Sequence, residues 1–224
     1  MKPALAYVDL QMKKRYEEQV KARPVAAAKT VMPWIGELPV QYLYMRSFFN
    51  DYGIPGNILP AVSYFRKQVQ GSWVSRSKYV QGMIALALFR TGDVQTAKDI
   101  VKSLKQTAIV DAERGMYWKG MEGGYYWYEA PIEIQSLLIE AFGEIGADKA
   151  VDRDLKTWLL KQKQTHSWRT TKATADACYA LLVGGVSWVS EERNVTIRLG
   201  DKLVQQEQGE AGTGYFKKFL MRRS

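Results

Sequence analysis

Residues 83–89 read Met-Ile-Ala-Leu-Ala-Leu-Phe, a run of seven side chains without a polar position. Seven residues make almost two turns of an α-helix, so a helix through this run is apolar on every side and has to be buried on every side. Residues 137–142 and 177–183 are two further runs of mostly apolar character. We therefore expect all three stretches to lie in the core.

The segments after the first two runs are apolar on one side only. Their apolar residues recur at helical spacing and are Val94, Ala97, Ile100, Val101 and Leu104 in one segment, and Val151, Leu155, Trp158 and Leu159 in the other. Such helices have a face to present to water. Gln81 precedes Gly92 by the same eleven residues by which Gln135 precedes Gly146, an internal repeat with an offset of 54 residues. Alternating buried and half-exposed helices predict an all-α fold, an α/α toroid of antiparallel helical hairpins or an incomplete arc of one.

Eight helices are predicted from this spacing and from the prolines and glycines between the segments. Their expected spans are 4–22, 38–51, 58–69, 77–91, 93–107, 132–145, 149–163 and 171–183. The aromatic and glycine-rich residues 115–128 predict a long ordered loop. Ile197 and Leu199, followed by the turn Gly200-Asp201 and by residues 202–204, predict a β-hairpin. The predicted organisation is a toroid domain at 1–190, a hairpin of a following β domain at 191–218, and a disordered tail at 219–224.

Composition excludes several kinds of chemistry. The chain of 224 residues contains one histidine, His166, and one cysteine, Cys178, so zinc ligands of the usual types are too few and no internal disulfide can form. Cys178 lies in an apolar run, where we expect its thiol to be an inert core side chain. His166 stands in a polar connection and is predicted to be an exposed loop residue rather than a general base. We predict no cofactor and no metal site.

The net charge of +9 raises the question of nucleic acid binding. The basic clusters are short and match no nucleic acid signature, so we expect solvated helix faces and no nucleic acid partner. The chain has no apolar stretch of about 20 residues, and no membrane insertion is expected. Residues 1–16 lack the features of a secretory signal, and the isolated hairpin indicates a piece of a larger protein.

Several motifs between residues 115 and 185 resemble one protein family. These are Gly-Met-Tyr-Trp-Lys at 115–119, Tyr-Tyr-Trp-Tyr-Glu-Ala-Pro-Ile-Glu-Ile-Gln at 125–135, Trp-Leu-Leu-Lys-Gln-Lys-Gln at 158–164 and Trp-Arg-Thr-Thr-Lys-Ala-Thr at 168–174. They are similar to the thioester-type, complement-like helical domain of bacterial alpha-2-macroglobulin proteins of Bacteroides-like organisms. Residues 194–204 and 211–218 resemble the β-rich segment that follows that domain. The resemblance covers roughly residues 30–218 and implies the same toroid fold.

The resemblance implies a non-enzymatic domain of a periplasmic or cell-envelope protein that inhibits or recognises proteases. Its partners would be proteases or other proteins, together with neighbouring macroglobulin-like β domains. The Cys-x-x-Gln thioester motif is missing, because Cys178 is followed by Tyr179, Ala180 and Leu181. Covalent capture of a target is therefore not carried over to this chain.

The main alternative is an enzyme with the same fold. Residues 64–73 and 158–168 resemble the Gln-Trp repeats of triterpene cyclases, but the clustered aspartates that cyclisation needs are missing. A terpenoid cyclase-like or polysaccharide lyase-like enzyme would use Glu129, Glu133 or Glu140 in a central cavity. The simpler interpretation is that Glu129 and Glu133 have no catalytic role and stabilise a helix N-terminus.

The aromatic loop is the predicted binding site. Its members are Trp118, Tyr125, Tyr126, Trp127, Tyr128 and Glu129. Large amphipathic aromatic side chains are typical anchors of protein interfaces. We expect these side chains either to contact a partner or to fill the entrance to the centre of the toroid.

Overall fold

The computed structural model describes residues 2–21, 36–121, 130–165, 168, 170–183, 197–199 and 202–204. This part of the chain is mostly helical, which confirms the predicted all-α class. Its eight α-helices are α1 (Lys2–Lys21), α2 (Leu38–Ser47), α3 (Leu59–Ser72), α4 (Lys78–Arg90), α5 (Val94–Gln106), α6 (Pro131–Ala141), α7 (Lys149–Thr165) and α8 (Thr171–Leu182). A 3₁₀ turn at Trp73–Ser75 precedes α4, and a π-helical turn at Phe142–Gly146 extends α6.

Side-chain caps fix the start of three of these helices. Oxygen atoms of Ser77, Asp93 and Thr170 accept hydrogen bonds from backbone N–H groups three residues later, at the first turns of α4, α5 and α8. Such a cap satisfies an N–H that the helix itself leaves without a partner. Prolines occupy the first turns of α2, α3 and α6, where the missing N–H costs nothing.

The core is built on α4 and α6, as the sequence predicts. Residues 80–88 of α4 and 132–141 of α6 are buried throughout. The neighbours of α4 include α2, α5 and α6, while those of α6 include α4, α7 and α8. The buried residues of α5 are Ala97, Ile100, Val101 and Leu104, and those of α7 include Leu155 and Trp158.

The two glutamines of the repeat have the same role. The side-chain amide of Gln81 donates to the carbonyl oxygens of Val74 and Arg76, at 3.3 and 2.9 Å, and thereby fixes the turn before α4. That of Gln135, which is fully buried, donates to the carbonyls of Met116 and Leu155, at 2.9 and 3.0 Å. A buried amide with two such partners fastens an inner helix to its neighbouring segments.

A short β-hairpin precedes α6. Its strands β1 (Ile109–Asp111) and β2 (Gly115–Tyr117) are antiparallel, and β2 packs against α7. Gly115 has φ +79°, and a Cβ added there would lie 2.1 Å from the carbonyl oxygen of Asp154. Only glycine fits, because the position combines a left-handed backbone with contact against another backbone. The predicted loop at 115–128 thus begins with a strand.

The prediction that residues 177–183 are buried on every side is wrong. On α8 only Ala173, Ala177 and Ala180 are buried, whereas the side chain of Leu182 is 62% exposed. Helices α6 and α7 contact α8, but in the described part of the chain only the side of α8 that carries these alanines is buried. For the same reason Cys178 is exposed and not the core residue expected from the sequence.

The chain divides into two compact units, Met1–Val183 and Gly184–Ser224. The second unit contains strands β3 (Ile197–Leu199) and β4 (Lys202–Val204), which pair antiparallel with Leu199 opposite Lys202. The predicted hairpin is therefore confirmed. No helix within the described ranges is long and apolar enough to span a bilayer.

Candidate functional site

One face of α6 carries three carboxylates. Glu133 and Glu140 are seven residues apart, and Glu144 follows four residues later in the π-helical turn. Spacings of seven and four place side chains on one side of a helix. Glu133 and Glu140 are buried, the latter to 4% exposure, whereas Glu144 at the end of this face is exposed.

Arg90, the last residue of α4, lies against this acidic face. Its Nη2 is 2.6 Å from Oε1 of Glu140, its Nε donates to Oε2 of Glu144 at 2.9 Å, and its Nη2 also contacts Oε1 of Glu144. The guanidinium carbon lies 4.3 Å from the centre of the Phe48 ring, which covers its flat side. Burial lowers the pKa of Arg90, but the hydrogen bonds that it donates to Glu144 and Glu140 outweigh burial and raise the pKa above its ordinary value. The cluster is a partly buried network with a permanent cation.

Tyrosines complete the surroundings of Glu140. The hydroxyl of Tyr44, on α2, donates to Oε2 of Glu140 at 3.1 Å. Burial and the charge of Glu140 raise the pKa of Tyr44 above its ordinary value, and the same two causes raise the pKa of Tyr179 on α8. Residues of α2, α4 and α8 thus surround a single carboxylate of α6. Both oxygens of Glu140 accept hydrogen bonds from protein groups, which leaves this carboxylate poorly placed to bind a substrate.

Glu133 lies in a second polar group about two turns nearer the start of α6. Burial raises the pKa of Tyr79, whose phenol also feels the charges of Lys172, Asp176 and Glu133. Lys172 forms an ion pair with Asp176. Burial lowers the pKa of Lys172, but the hydrogen bond to Asp176 outweighs it, and the net shift is upward. A carboxylate beside a phenol and an ammonium could transfer a proton, and this arrangement is a catalytic candidate among the described residues.

Two surface depressions lie beside α1 and α2. The first, of about 410 Å³, is apolar, and its lining includes Val8, Met12 and Met45. The second, of about 360 Å³, is lined in part by Asp9 and Arg46. Both of these charged residues are buried, and they lie 3.3 Å apart from Oδ1 of Asp9 to Nε of Arg46. The hydroxyl of Tyr42 donates to the same Oδ1 at 2.7 Å. These charges hold α1 against α2.

The structure corrects one member of the predicted binding site. Trp118 is 2% exposed, and its Nε1 donates to the carbonyl oxygen of Leu104 at 2.8 Å, so the ring belongs to the core and is no surface anchor. The remaining members of the site lie outside the described residues and stay predictions, namely Tyr125, Tyr126, Trp127, Tyr128 and Glu129. His166 also lies outside them. In the part of the chain that the structure describes, no three His, Cys, Asp or Glu side chains are grouped to hold a metal ion.

Sequence reasoning named Glu133 and Glu140 but missed the groups that surround them, above all Arg90 and Tyr44. One signal could have found the arginine. Arg90 and Glu144 are separated by 54 residues, the offset of the internal repeat, so they occupy equivalent positions on α4 and α6. Equivalent positions on adjacent parallel helices of a repeat lie side by side.

The chain matches no protein-family model, no curated protein and no solved structure. The resemblance of residues 115–185 to the alpha-2-macroglobulin family therefore stays a prediction from sequence motifs.

Proposed function

We propose that this chain is the toroidal helical domain, or an arc of it, of an alpha-2-macroglobulin-like envelope protein that acts by protein–protein contacts without a thioester. The arrangement of the helices supports the proposed arc. Consecutive inner helices α2, α4, α6 and α8 contact each other in order, and α5 and α7 pack behind them. Two layers of this kind are expected of an α/α toroid.

The pairing of the buried Glu140 is the observation that carries the non-catalytic part of the proposal. Glu140 is paired with Arg90 and accepts a hydrogen bond from Tyr44, so both of its carboxylate oxygens have partners. A catalytic carboxylate has to exchange protons with a substrate, whereas carboxylates in such networks stabilise the packing of the helices. We expect no cofactor to be required.

The proposed partners are proteases or other proteins, and neighbouring macroglobulin-like β domains of a longer chain. This part of the proposal, like the periplasmic or envelope location, rests on the sequence resemblance alone. Nucleic acid and direct membrane insertion are not expected.

The test is binding of the purified chain to immobilised serine, cysteine and metalloproteases, followed by denaturing gel electrophoresis. We expect a complex that dissociates in detergent and that forms equally well after treatment of the chain with methylamine. A matched run with the denatured chain controls for capture as a simple protease substrate. A heat-labile, amine-sensitive covalent adduct, or no binding to any protease, would contradict the proposal.

The alternative is a toroid enzyme that acts on an isoprenoid or a polysaccharide, and the position of Glu133 is the observation that favours it. This carboxylate is buried near Tyr79 and Lys172, which could supply or accept a proton. Turnover that is lost in Glu133→Gln but kept in a folded variant with the exposed Glu113→Gln would favour the enzyme. Equal activity of both variants would exclude a catalytic role for Glu133.

A further inference from the structure

The depression of about 360 Å³ beside α1 and α2 is lined by charged groups of both signs, and we call it the charged depression. Its wall includes two cations, two carboxylates and two apolar residues, namely Lys2, Arg46, Asp9, Asp51, Leu5 and Pro55. Small-molecule sites in proteins begin at about 300 Å³. The charged depression therefore has room for a small ligand of mixed polarity.

Two opposite charges stand unpaired at the rim of the charged depression. Lys2, at the start of α1, and Asp51, in the connection after α2, are both exposed. Neither forms an ion pair with another residue that the structure describes. The two side chains are therefore available to one anionic and one cationic group of a ligand.

Arg46 supplies a buried donor at the floor of the charged depression. It is 5% exposed, its Nε lies 3.3 Å from Oδ1 of Asp9, and its Nη2 donates to the carbonyl oxygen of Tyr52 at 3.1 Å. Its Nη1 has no hydrogen-bond partner among the described residues. A buried N–H group without an acceptor is unfavourable, and a carboxylate is a strong acceptor for a guanidinium.

The carboxylate of Asp9 does not make the floor acidic. Its charge is neutralised by Arg46, and its Oδ1 also accepts the hydroxyl hydrogen of Tyr42 at 2.7 Å. With this pair neutral, Lys2 and Asp51 determine which charges the charged depression accepts.

We propose that the charged depression binds a free α-amino acid with an aliphatic side chain. The carboxylate of the ligand contacts Lys2 and the guanidinium of Arg46. Its ammonium group contacts Asp51, and its side chain lies against Leu5 and Pro55.

The charge pattern selects a zwitterion over a simple acid or amine. The four charged groups of the wall carry no net charge, and the two that are unpaired have opposite signs. A ligand with a single charge leaves one rim group without a partner, whereas an α-amino acid matches both. The end of a peptide chain carries only one of these charges on its terminal residue, so a free amino acid fits better than a peptide terminus.

The experiment is a titration of the isotope-labelled 224-residue chain with L-leucine, followed by heteronuclear NMR. We expect saturable shifts of backbone amides within residues 2–9 and 46–55. The expected Kd is on the order of 0.5 mM, because a ligand with so few atoms makes few contacts.

Two derivatives of leucine separate a free amino acid from a peptide terminus. N-acetyl-L-leucine keeps the carboxylate and resembles a peptide C-terminus, whereas L-leucinamide keeps the ammonium group and resembles an N-terminus. We expect each to bind about fivefold more weakly than L-leucine or worse, since one charge-assisted contact is lost.

Substitutions test the residues of the site. Lys2→Ala and Asp51→Ala should each weaken leucine binding about fivefold or more, for the same reason. Arg46→Lys keeps a cation beside Asp9 but removes the planar guanidinium, and it should weaken binding by a similar factor. The matched control is Lys102→Ala, at an exposed position on α5, which should bind leucine like the parent chain. Circular dichroism checks folding, and the two exposed rim positions decide the question if Arg46→Lys does not fold.

Four results would overturn the proposal. They are the absence of saturable shifts, shifts confined to residues outside the charged depression, binding of either derivative as tight as that of L-leucine, and leucine binding that is unchanged in both rim variants. Equal loss of binding in Lys102→Ala would also contradict it, because net charge and not the site would then determine the affinity.

Discussion

Replacement of Gly115 by alanine tests the close contact between β2 and α7. The residue has φ +79°, where a non-glycine residue costs about 1–2 kcal/mol. The added Cβ would also lie 2.1 Å from the carbonyl oxygen of Asp154 and 3.0 Å from Cβ of Thr157. Neither the helix backbone nor this Cβ can rotate away, so the strand has to retreat from α7.

Displacement of β2 from α7 lowers the free energy of unfolding through contacts that the structure identifies. It opens the buried environment of Met116 and breaks the hydrogen bond from Gln135 to the Met116 carbonyl, which adds about 1–3 kcal/mol. The total loss is about 2–5 kcal/mol, which lowers Tm by roughly 10 °C in a chain of this size. The assay is urea unfolding followed by tryptophan fluorescence, with a thermal melt by circular dichroism.

Gly120 provides the matched control. Its φ is +82°, but an added Cβ there meets no atom within 4 Å, so Gly120→Ala measures the backbone strain alone. We expect this variant to lose only about 1–2 kcal/mol. If Gly115→Ala is no less stable than Gly120→Ala, the contact between the strand and α7 does not constrain the fold and the reasoning is refuted.

Three further predictions concern the buried polar groups. Arg90→Ala should destabilise the chain by about 3–5 kcal/mol, because it leaves Glu140 buried without its cation. Arg114→Ala, at an exposed position, should change stability by less than about 1 kcal/mol. Equal effects of the two substitutions in chemical unfolding would contradict a stabilising role of the Arg90 network. Gln135→Leu should cost about 1–3 kcal/mol, because two buried carbonyls lose a donor, and unchanged urea unfolding would show that the amide is not needed. The pKa of Tyr44 is raised in the folded state, so its stabilising contribution is complete below the unfolded value near 10 and is lost as the pH rises above that value. Tyr44→Phe should therefore flatten the fall in stability between about pH 9.5 and 11, and a parallel curve would contradict this.

Helical periodicity was sufficient to predict most of the fold. The runs at 83–89 and 137–142 are apolar throughout or nearly so, and both lie in the core because neighbouring helices cover them on several sides. The same argument failed at 177–183. A sequence pattern shows that a face is apolar, but whether another element covers that face depends on the position of the helix in the array.

The candidate site was less predictable, because its contacts are long-range. Arg90 and Glu144 are 54 residues apart, and Tyr44 and Glu140 are 96 apart. Local spacing places the two glutamates on one face but does not identify the groups that neutralise them. Strand β1 was missed for a related reason. Three residues are too short for an alternating pattern, and the strand exists because β2 pairs with it.

The two buried glutamines have a consequence for how helical pairs could be added to such a chain during evolution. Gln81 binds main-chain oxygens of the turn that leads into α4, and Gln135 binds one in the connection that leads into α6 and one on α7, so each helical pair carries its own fastening. A duplicated pair would bring this fastening with it and would need only a small residue where the next helix approaches, as at Gly82. Gene duplication could then change the number of helical pairs without new contacts having to evolve between each helix and its connection.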